Sequence, residues 1–425
     1  MTVSWTPTTL GAICKFQAGD GFPKDLQGNE DGEHPVAKVS DMNLAGNELF
    51  IINANNWLSK KAVGQGFKLH PPGAVIFAKI GVALTSNRRR LLVRPTVIDN
   101  NMMSATCTKD IDPRWFYSLL STLDFNEISS GSALPFLTVR DLSRIPVSVP
   151  PLPEQRAIAA TLGALDDKIE LNRRMNETLE AMARALFRDW FVDFGPTRAK
   201  MAGTTPYLSP ALWSLFPNSL DDAGKPEGWE ADTLGAIATA RTEGVDPATV
   251  SETTPYIGLE HMPRGSIALS EWEGAAKVSS NKGAFEAGDF LFGKLRPYFH
   301  KVGVAPVSGI CSTDIVVVRP SAPSWRGFVI ACISDADFVA YTDKTSTGTK
   351  MPRTSWRIMS KYPATLPSIG AVEAFDALVA PMLGRIRANI LESRTLAQTR
   401  DLLLPRLMSG ELRVAGAEHA VEAVL

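Results

Sequence analysis

Two stretches of this chain gather cations in a way that suits a polyanion. The first holds Lys79 and the run Arg88, Arg89 and Arg90. The second holds Lys294, Arg296, His300 and Lys301, with Tyr298 and Phe299 interleaved, and continues with Lys344, Lys350 and Arg353. Mobile cations satisfy phosphate oxygens, and polar side chains on loops reach base edges. The chemistry indicated is therefore contact with double-stranded DNA. Lys109 and Arg140 are secondary members of the first cluster. Two small-residue loops, Ser129–Ser132 and Thr345–Thr349, lie nearby in sequence. The net charge is only −1, from 44 Lys and Arg against 45 Asp and Glu, so the basic surface is a local patch.

Reaction chemistry is missing. No Gly-x-Gly-x-x-Gly opens a helix, no Walker-type loop occurs, and the Asn/Asp-Pro-Pro-aromatic tetrad of amino methyltransferases is absent. No Ser/His/Asp set follows from spacing, so no catalytic residue is assigned. The cysteines Cys14, Cys107, Cys311 and Cys332 are isolated and the histidines lack ligand spacing, which argues against a metal site or a disulfide framework. No signal peptide and no apolar run near 18 residues is present, so the expectation is a soluble protein of the cytosol with no membrane partner.

The clusters need a frame, and the stretch Pro150–Phe194 supplies it. Apolar residues recur in steps of four and three at Ile158, Leu162, Leu165, Ile169, Leu179, Ala183, Leu186 and Trp190. That spacing predicts a long helix with one buried seam. Asn172 and Asn176 are polar seam positions. The charges between them, from Asp166 to Arg184 and including Glu180, read as a solvated face. Pro153 suits the first turn and Gly195-Pro196 the stop.

A partner seam lies in the same chain. An offset of 217 gives Phe375, Val379, Met382, Ile386, Asn389, Ser393, Leu396, Arg400, Leu403 and Leu407. Gly131, Pro135 and Arg140 map onto Gly348, Pro352 and Arg357 at the same offset. Thr9–Ile13 maps onto Thr233–Ile237 at an offset of 224. The chain is a tandem duplication of a globular unit followed by a long helix. The fold class expected is α/β. It comprises two similar mixed domains, residues 1–151 and 229–367, separated by two antiparallel coiled-coil-like helices, 152–195 and 368–412. A connector, 196–228, and a loose tail, 413–425, complete it. The second helix is expected to end near Leu404, before Pro405. Antiparallel pairing would bring Asn172 and Asn176 beside Asn389 and Ser393.

Ile145-Pro-Val-Ser-Val-Pro-Pro-Leu-Pro-Glu-Gln155, Asp166-Asp-Lys-Ile-Glu-Leu-Asn172, Leu186-Phe-Arg-Asp-Trp-Phe191, Gly288–Tyr298 and Leu402–Leu412 together resemble the specificity subunit of type I restriction–modification systems. The resemblance covers nearly the whole chain. It implies two target recognition domains, each reading one half of a split DNA sequence, and helices that hold them apart and dock two methyltransferase subunits. Two restriction (motor–nuclease) subunits can join. It also implies that S-adenosylmethionine belongs to the methyltransferase partners and ATP with Mg to the restriction subunits, leaving this chain without cofactor or active site. Leu366-Pro-Ser-Ile-Gly370 departs from the Pro-Pro-Leu-x-Glu-Gln pattern, so a looser start to the second helix is expected. The alternative from another class is a structural assembly protein acting through its helices without reading DNA.

Overall fold

The computed structural model describes residues 5–44, 46–64, 66–131, 134–241, 243–348, 350–422 and 424. Ser132 and Thr349 of the two predicted loops lie outside them. The chain forms two compact units: Met1–Glu170 with Thr395–Leu425, and Leu171–Arg394.

In the first unit, Thr6–Thr9 pairs antiparallel with Pro146–Val149, from Thr6↔Val149 to Thr9↔Pro146. A five-stranded sheet has the order Cys14–Ala18, Met102–Cys107, Val75–Ala78, Arg89–Leu92, Phe50–Ile51. A smaller sheet pairs His34–Ala37 with Trp57–Leu58 and, in parallel, with Val97–Ile98. Val75–Ala78 is buried along its whole length, as expected of an apolar run at the centre of a covered sheet. The helix Pro113–Ser121 covers that sheet, with Asp112 accepting from the Arg114 and Trp115 amides as its cap.

The second unit repeats this plan. Glu230–Thr233 pairs with Pro363–Leu366 in the same register, Glu230↔Leu366 to Thr233↔Pro363. The sheet order Ala238–Arg241, Ile315–Pro320, Phe290–Gly293, Val302–Val304 matches the first four strands of the other lobe. Its smaller sheet again contains one parallel pair, Tyr256↔Ile310 and Ile257↔Cys311. The segment after the strand Ile315–Pro320 is a 3-10 turn and then two helices, Arg326–Ser334 and Ala336–Lys344. They break at Asp335, whose carboxylate accepts from the Asp337 amide. In the first lobe a short helix, Val139–Ser143, precedes the strand Pro146–Val149.

The long helices run Leu152–Phe187, with a π turn over Arg188–Val192, and Ile369–Met408. Within the first unit, Ile158, Leu162 and Leu165 share one core with Leu396, Leu403 and Leu407, with Ile169 partly buried beside it. Within the second, Ala183, Phe187 and Trp190 share a core with Phe375, Val379, Leu383, Ile386 and Ile390. In both places the early part of one helix meets the late part of the other, so the pairing is antiparallel. Leu186 and Met382 are only partly buried; Phe187 and Leu383 take the deeper positions. Asn389 Nδ2 donates to Asn176 Oδ1 at 2.8 Å, and Asn172 Nδ2 donates to Glu392 Oε2 at 2.7 Å and Ser393 Oγ at 3.3 Å.

Several expectations need correction. Pro405 does not stop the second helix: it falls within the last turn, and the helix runs on to Met408. The start of that helix is not loose: Ala371, Val372 and Phe375 are fully buried. Asp376 Oδ1 accepts from the Gly327 amide at 2.8 Å, capping a helix that lacks a side-chain cap of its own. The tail is a helix, Val414–Glu422, with Ala417 and Val421 in the first unit's core. The connector, of which no disorder was expected, packs through its apolar cluster. Phe216 packs edge-on against Trp190, with ring centroids 5.1 Å apart, and Trp229 packs on Phe191. Such pairs contribute roughly 0.5–1.5 kcal/mol beyond their burial.

Candidate nucleic-acid interface

Each lobe builds the same backbone frame beyond the end of its central strand. In the first, the Lys79 amide donates to Asn101 O at 2.9 Å, Leu137 N to Lys79 O at 2.9 Å, and Gly81 N to Pro135 O at 2.8 Å. In the second, Lys294 N donates to Asp314 O at 2.9 Å, Thr354 N to Lys294 O at 3.0 Å, and Arg296 N to Pro352 O at 2.7 Å. A small loop is pinched shut beside each: Ser130 and Phe136 exchange backbone hydrogen bonds of 3.0 and 2.9 Å, as do Thr347 and Arg353. Gly131 (φ 90°) and Gly348 (φ 92°) turn these loops in the left-handed region that glycine tolerates. The strand then leaves through a second left-handed residue, Gly81 (φ 77°) or Arg296 (φ 51°). Arginine there is strained where glycine is not.

The frame exposes different side chains in the two lobes. At the second, Lys344, Lys350 and Arg353 are exposed, with Tyr298 and Met351. Arg353 Nη2 lies 3.3 Å from Asp314 Oδ1. Arg296 is half-buried and its Nε has no partner among the described residues. At the first, Val82, Leu134 and Phe136 are exposed instead. Lys79 and Lys294 are half-buried at matching points of the frame.

Other predicted contacts are engaged elsewhere. Arg89 is 5% exposed; its guanidinium stacks over Phe125 and donates to the Asn87 and Leu123 carbonyls. Burial pushes its pKa down to about 10. Arg90 donates to the Arg89 and Met42 carbonyls at 2.7 and 2.9 Å, and burial likewise lowers its pKa. Arg88 donates to Asn43 Oδ1. All three line a cavity of about 380 Å³ whose other walls include Tyr117, Asp166 and Arg400, so this run faces the long helices. Arg89 and Arg90 therefore spend donors on nearby carbonyls and serve the fold, whereas Arg88 is exposed and keeps donors beyond its one bond to Asn43. In the second lobe, a His300 ring nitrogen lies 2.9 Å from Ser334 O, and the Lys301 ammonium donates to Leu259 O, its pKa lowered by burial. Both hold the turn rather than face outward.

Two acids read as solvated are anchors. Asp166 pairs with Arg400 at 2.7 Å, which explains an arginine on the apolar seam. Glu180 is 6% exposed and accepts from Ser266 Oγ at 2.7 Å, Ile267 N at 2.9 Å and Ala268 N at 3.1 Å. It fixes the second lobe's Gly265–Leu269 strap on the helix. The Gly265 amide donates in turn to His300 O at 2.9 Å, inside the basic turn. In the first lobe Gln155 has this role. It accepts from Asp112 N at 2.8 Å and donates to Pro150 O at 2.9 Å. Among the described residues, Glu260, His261 and Glu273 place ligand atoms within 4.8 Å of one another. His261 Nδ1, however, accepts the Gly258 amide at 2.9 Å, which puts the ring proton on Nε2 and leaves no free lone pair for a metal.

Sequence reasoning missed Asp314, Asn101, Val82, Leu134, Phe136 and Glu180. Leu134 and Phe136 lie 217 residues before Met351 and Arg353, so the repeat offset could have exposed them, whereas Asn101 and Asp314 are 213 apart and are matched only through their backbone hydrogen bonds. Glu180 carried no such signal.

Residues 2–181 match the family model for the type I restriction modification DNA specificity domain. The chain is similar to the type I restriction enzyme MjaIX specificity subunit of Methanocaldococcus jannaschii, 24% identical over 396 residues, with 88% of this chain and 86% of the relative covered. It is similar to the HindI specificity subunit of Haemophilus influenzae, 24% identical over 466 residues, with 89% and 97% covered. The crystal structure of a type I restriction–modification S subunit from M. genitalium shares the fold. Its TM-score is 0.54 at 15% identity, with 96% of each chain covered.

Proposed function

We propose that this chain, a type I restriction–modification specificity subunit, selects the split DNA sequence on which a modification complex acts. The observation that carries this reading is the duplicated frame: one backbone, built twice, presents cationic side chains in one lobe and apolar ones in the other. A scaffold kept constant while its tips diverge suits two half-sites of different sequence. Phosphate contacts from Lys344, Lys350 and Arg296 would supply salt-sensitive affinity, and a few loop side chains per lobe the base readout.

The chain contributes no reacting group in this reading. Two methyltransferase subunits dock on the long helices, bind S-adenosylmethionine and take the target adenine out of the stack. Restriction subunits using ATP and Mg join to cleave unmodified DNA. The setting is the prokaryotic cytosol; among the described residues no helix is long and apolar enough to cross a membrane.

The test is long-read mapping of methylated adenines in a host that expresses this chain with its cognate methyltransferase subunit. A split motif that disappears when the chain is omitted is expected, and Arg296→Ala should weaken or relax one half of it. Methylation indifferent to the chain would leave the helices with assembly alone.

A further inference from the structure

One pair of positions in the shared frame changes its chemistry as a pair. Asp314 and Arg353 stand in the second lobe where Asn101 and Phe136 stand in the first. The match is fixed by backbone hydrogen bonds: Asp314 O and Asn101 O both accept from the preceding strand's lysine amide, and Arg353 and Phe136 both close the pinched loop. Between the lobes the cation and its carboxylate are lost together, replaced by an aromatic ring and a neutral amide.

The ion pair is not what closes the loop. The first lobe closes an equivalent loop with the same backbone bonds and no charge at either position. Nor do the apolar residues of the first lobe serve its core: Val82 is 84% exposed, Leu134 55% and Phe136 40%. Leu134 lies over Gly81, next to Val82, so the three form one tip.

We infer that position 353 reads a guanine, with Asp314 as the residue that positions its guanidinium, and that Phe136 at the matching position reads a thymine through its methyl group. This rests on the DNA-reading function proposed above. Asp314 holds the guanidinium at Nη2 alone, 3.3 Å from Oδ1 and 3.5 Å from Oδ2, so its remaining N–H groups stay available for the guanine O6 and N7 acceptors. The Arg353 side chain is 53% exposed and Asp314 26%, which leaves the arginine reachable and its anchor recessed. A phenyl ring has no hydrogen bond to offer a base edge, and the thymine methyl is the one apolar group in the major groove. The lobes then recognise by different means on one scaffold: the first by apolar fit, the second by a buttressed arginine.

The experiment uses the chain in complex with its methyltransferase partners. Methylomes are compared for the natural chain, Arg353→Ala, Arg353→Lys, Asp314→Asn and Phe136→Ala. Arg353→Ala is expected to relax one guanine in one half of the motif, lowering discrimination there about 10- to 100-fold, with the other half unchanged. Asp314→Asn should relax the same base to a smaller extent, and Phe136→Ala a thymine in the opposite half. Purified complex is then offered duplexes with 7-deazaguanine at that guanine or uracil at that thymine. The natural chain should lose affinity for each, while Arg353→Ala should show no further loss on the 7-deazaguanine duplex. If Arg353→Ala disturbs folding, Arg353→Lys keeps the charge and the loop but not the two-pronged contact, and must still relax the guanine. An unchanged motif with methylation lowered evenly would make Arg353 a phosphate contact and overturn the inference. Unchanged methylation would make the pair a loop clamp, with the same consequence. Absence of any motif dependent on this chain would instead defeat the proposed function itself.

Discussion

Glu180→Gln isolates the anchor between the second lobe and its helix. The two side chains have nearly the same shape, so packing is conserved. The carboxylate accepts three hydrogen bonds, from Ser266 Oγ and Ala268 N at Oε1 and from Ile267 N at Oε2. An amide can keep its oxygen at only one of those places. With the oxygen at the Oε1 site, the amide nitrogen faces the Ile267 N–H, donor against donor, in a buried position. Losing a charge-assisted bond and stranding a buried donor costs about 2–4 kcal/mol. The same burial that raises the carboxyl's pKa disfavours its charge, and the neutral amide escapes that penalty, so the net loss should be about 1–3 kcal/mol. Urea unfolding followed by tryptophan fluorescence reads the global part. Amide hydrogen exchange reads the local part, where Ile267, whose acceptor is lost, should lose roughly 5- to 150-fold in protection and Ala268, which keeps the oxygen, less. Unaltered exchange at both amides with stability within about 0.5 kcal/mol would refute the claim that this carboxylate holds the strap.

Three further outcomes are expected. His70 is buried and desolvation holds its pKa near 4, below the ordinary 6.5. The unfolded chain therefore binds a proton that the fold rejects: stability is full above about pH 6.5 and falls by about 3 kcal/mol as pH drops through the window to 4. Urea midpoints at pH 7 and 4.5 should show less of this slope in His70→Gln; an identical slope would count against it. Asn389→Leu alone strands Asn176 and should cost about 1–3 kcal/mol, whereas Asn176→Leu with Asn389→Leu should recover most of it; strictly additive melting temperatures would contradict that pairing. Arg296→Gly should relieve the left-handed backbone and raise stability by up to about 1 kcal/mol while weakening methylation at one half-site. A variant unchanged in both would show that the arginine is neither strained nor used.

Much of the architecture was legible because duplication prints the fold twice. The 217 offset that matched Asn172 to Asn389 and Pro146 to Pro363, together with the 224 offset of the entry strands, reproduces the matching registers of the two entry-strand pairs. The seam period located both long helices, Trp190 included, with errors of one step at Leu186 and Met382, where Phe187 and Leu383 take the buried positions. What stayed hidden depends on what a charge touches. Arg88–Arg90 and Glu180 look alike in sequence, as charges in polar company, yet Arg89 is folded under Phe125 and Glu180 is roofed by backbone amides. Pro405 misled because a proline one turn from a helix end forfeits a single hydrogen bond, which the packing of Leu403 and Leu407 in the core outweighs. The tail misled because short, Ala-rich segments become helices when a core is waiting, as for Ala417 and Val421.

The division of the chain has a consequence for synthesis. The second unit, Leu171–Arg394, is one unbroken stretch and can close as soon as it has left the ribosome. The first unit, although made first, needs Leu396, Leu403, Leu407, Ala417 and Val421 to cover Leu162, Leu165 and Trp115. The lobe translated earliest is thus the last to be finished, and it waits with apolar surface uncovered for more than 200 residues of translation. A premature stop near residue 395 should therefore leave the second lobe intact and the first one exposed to chaperones and proteases.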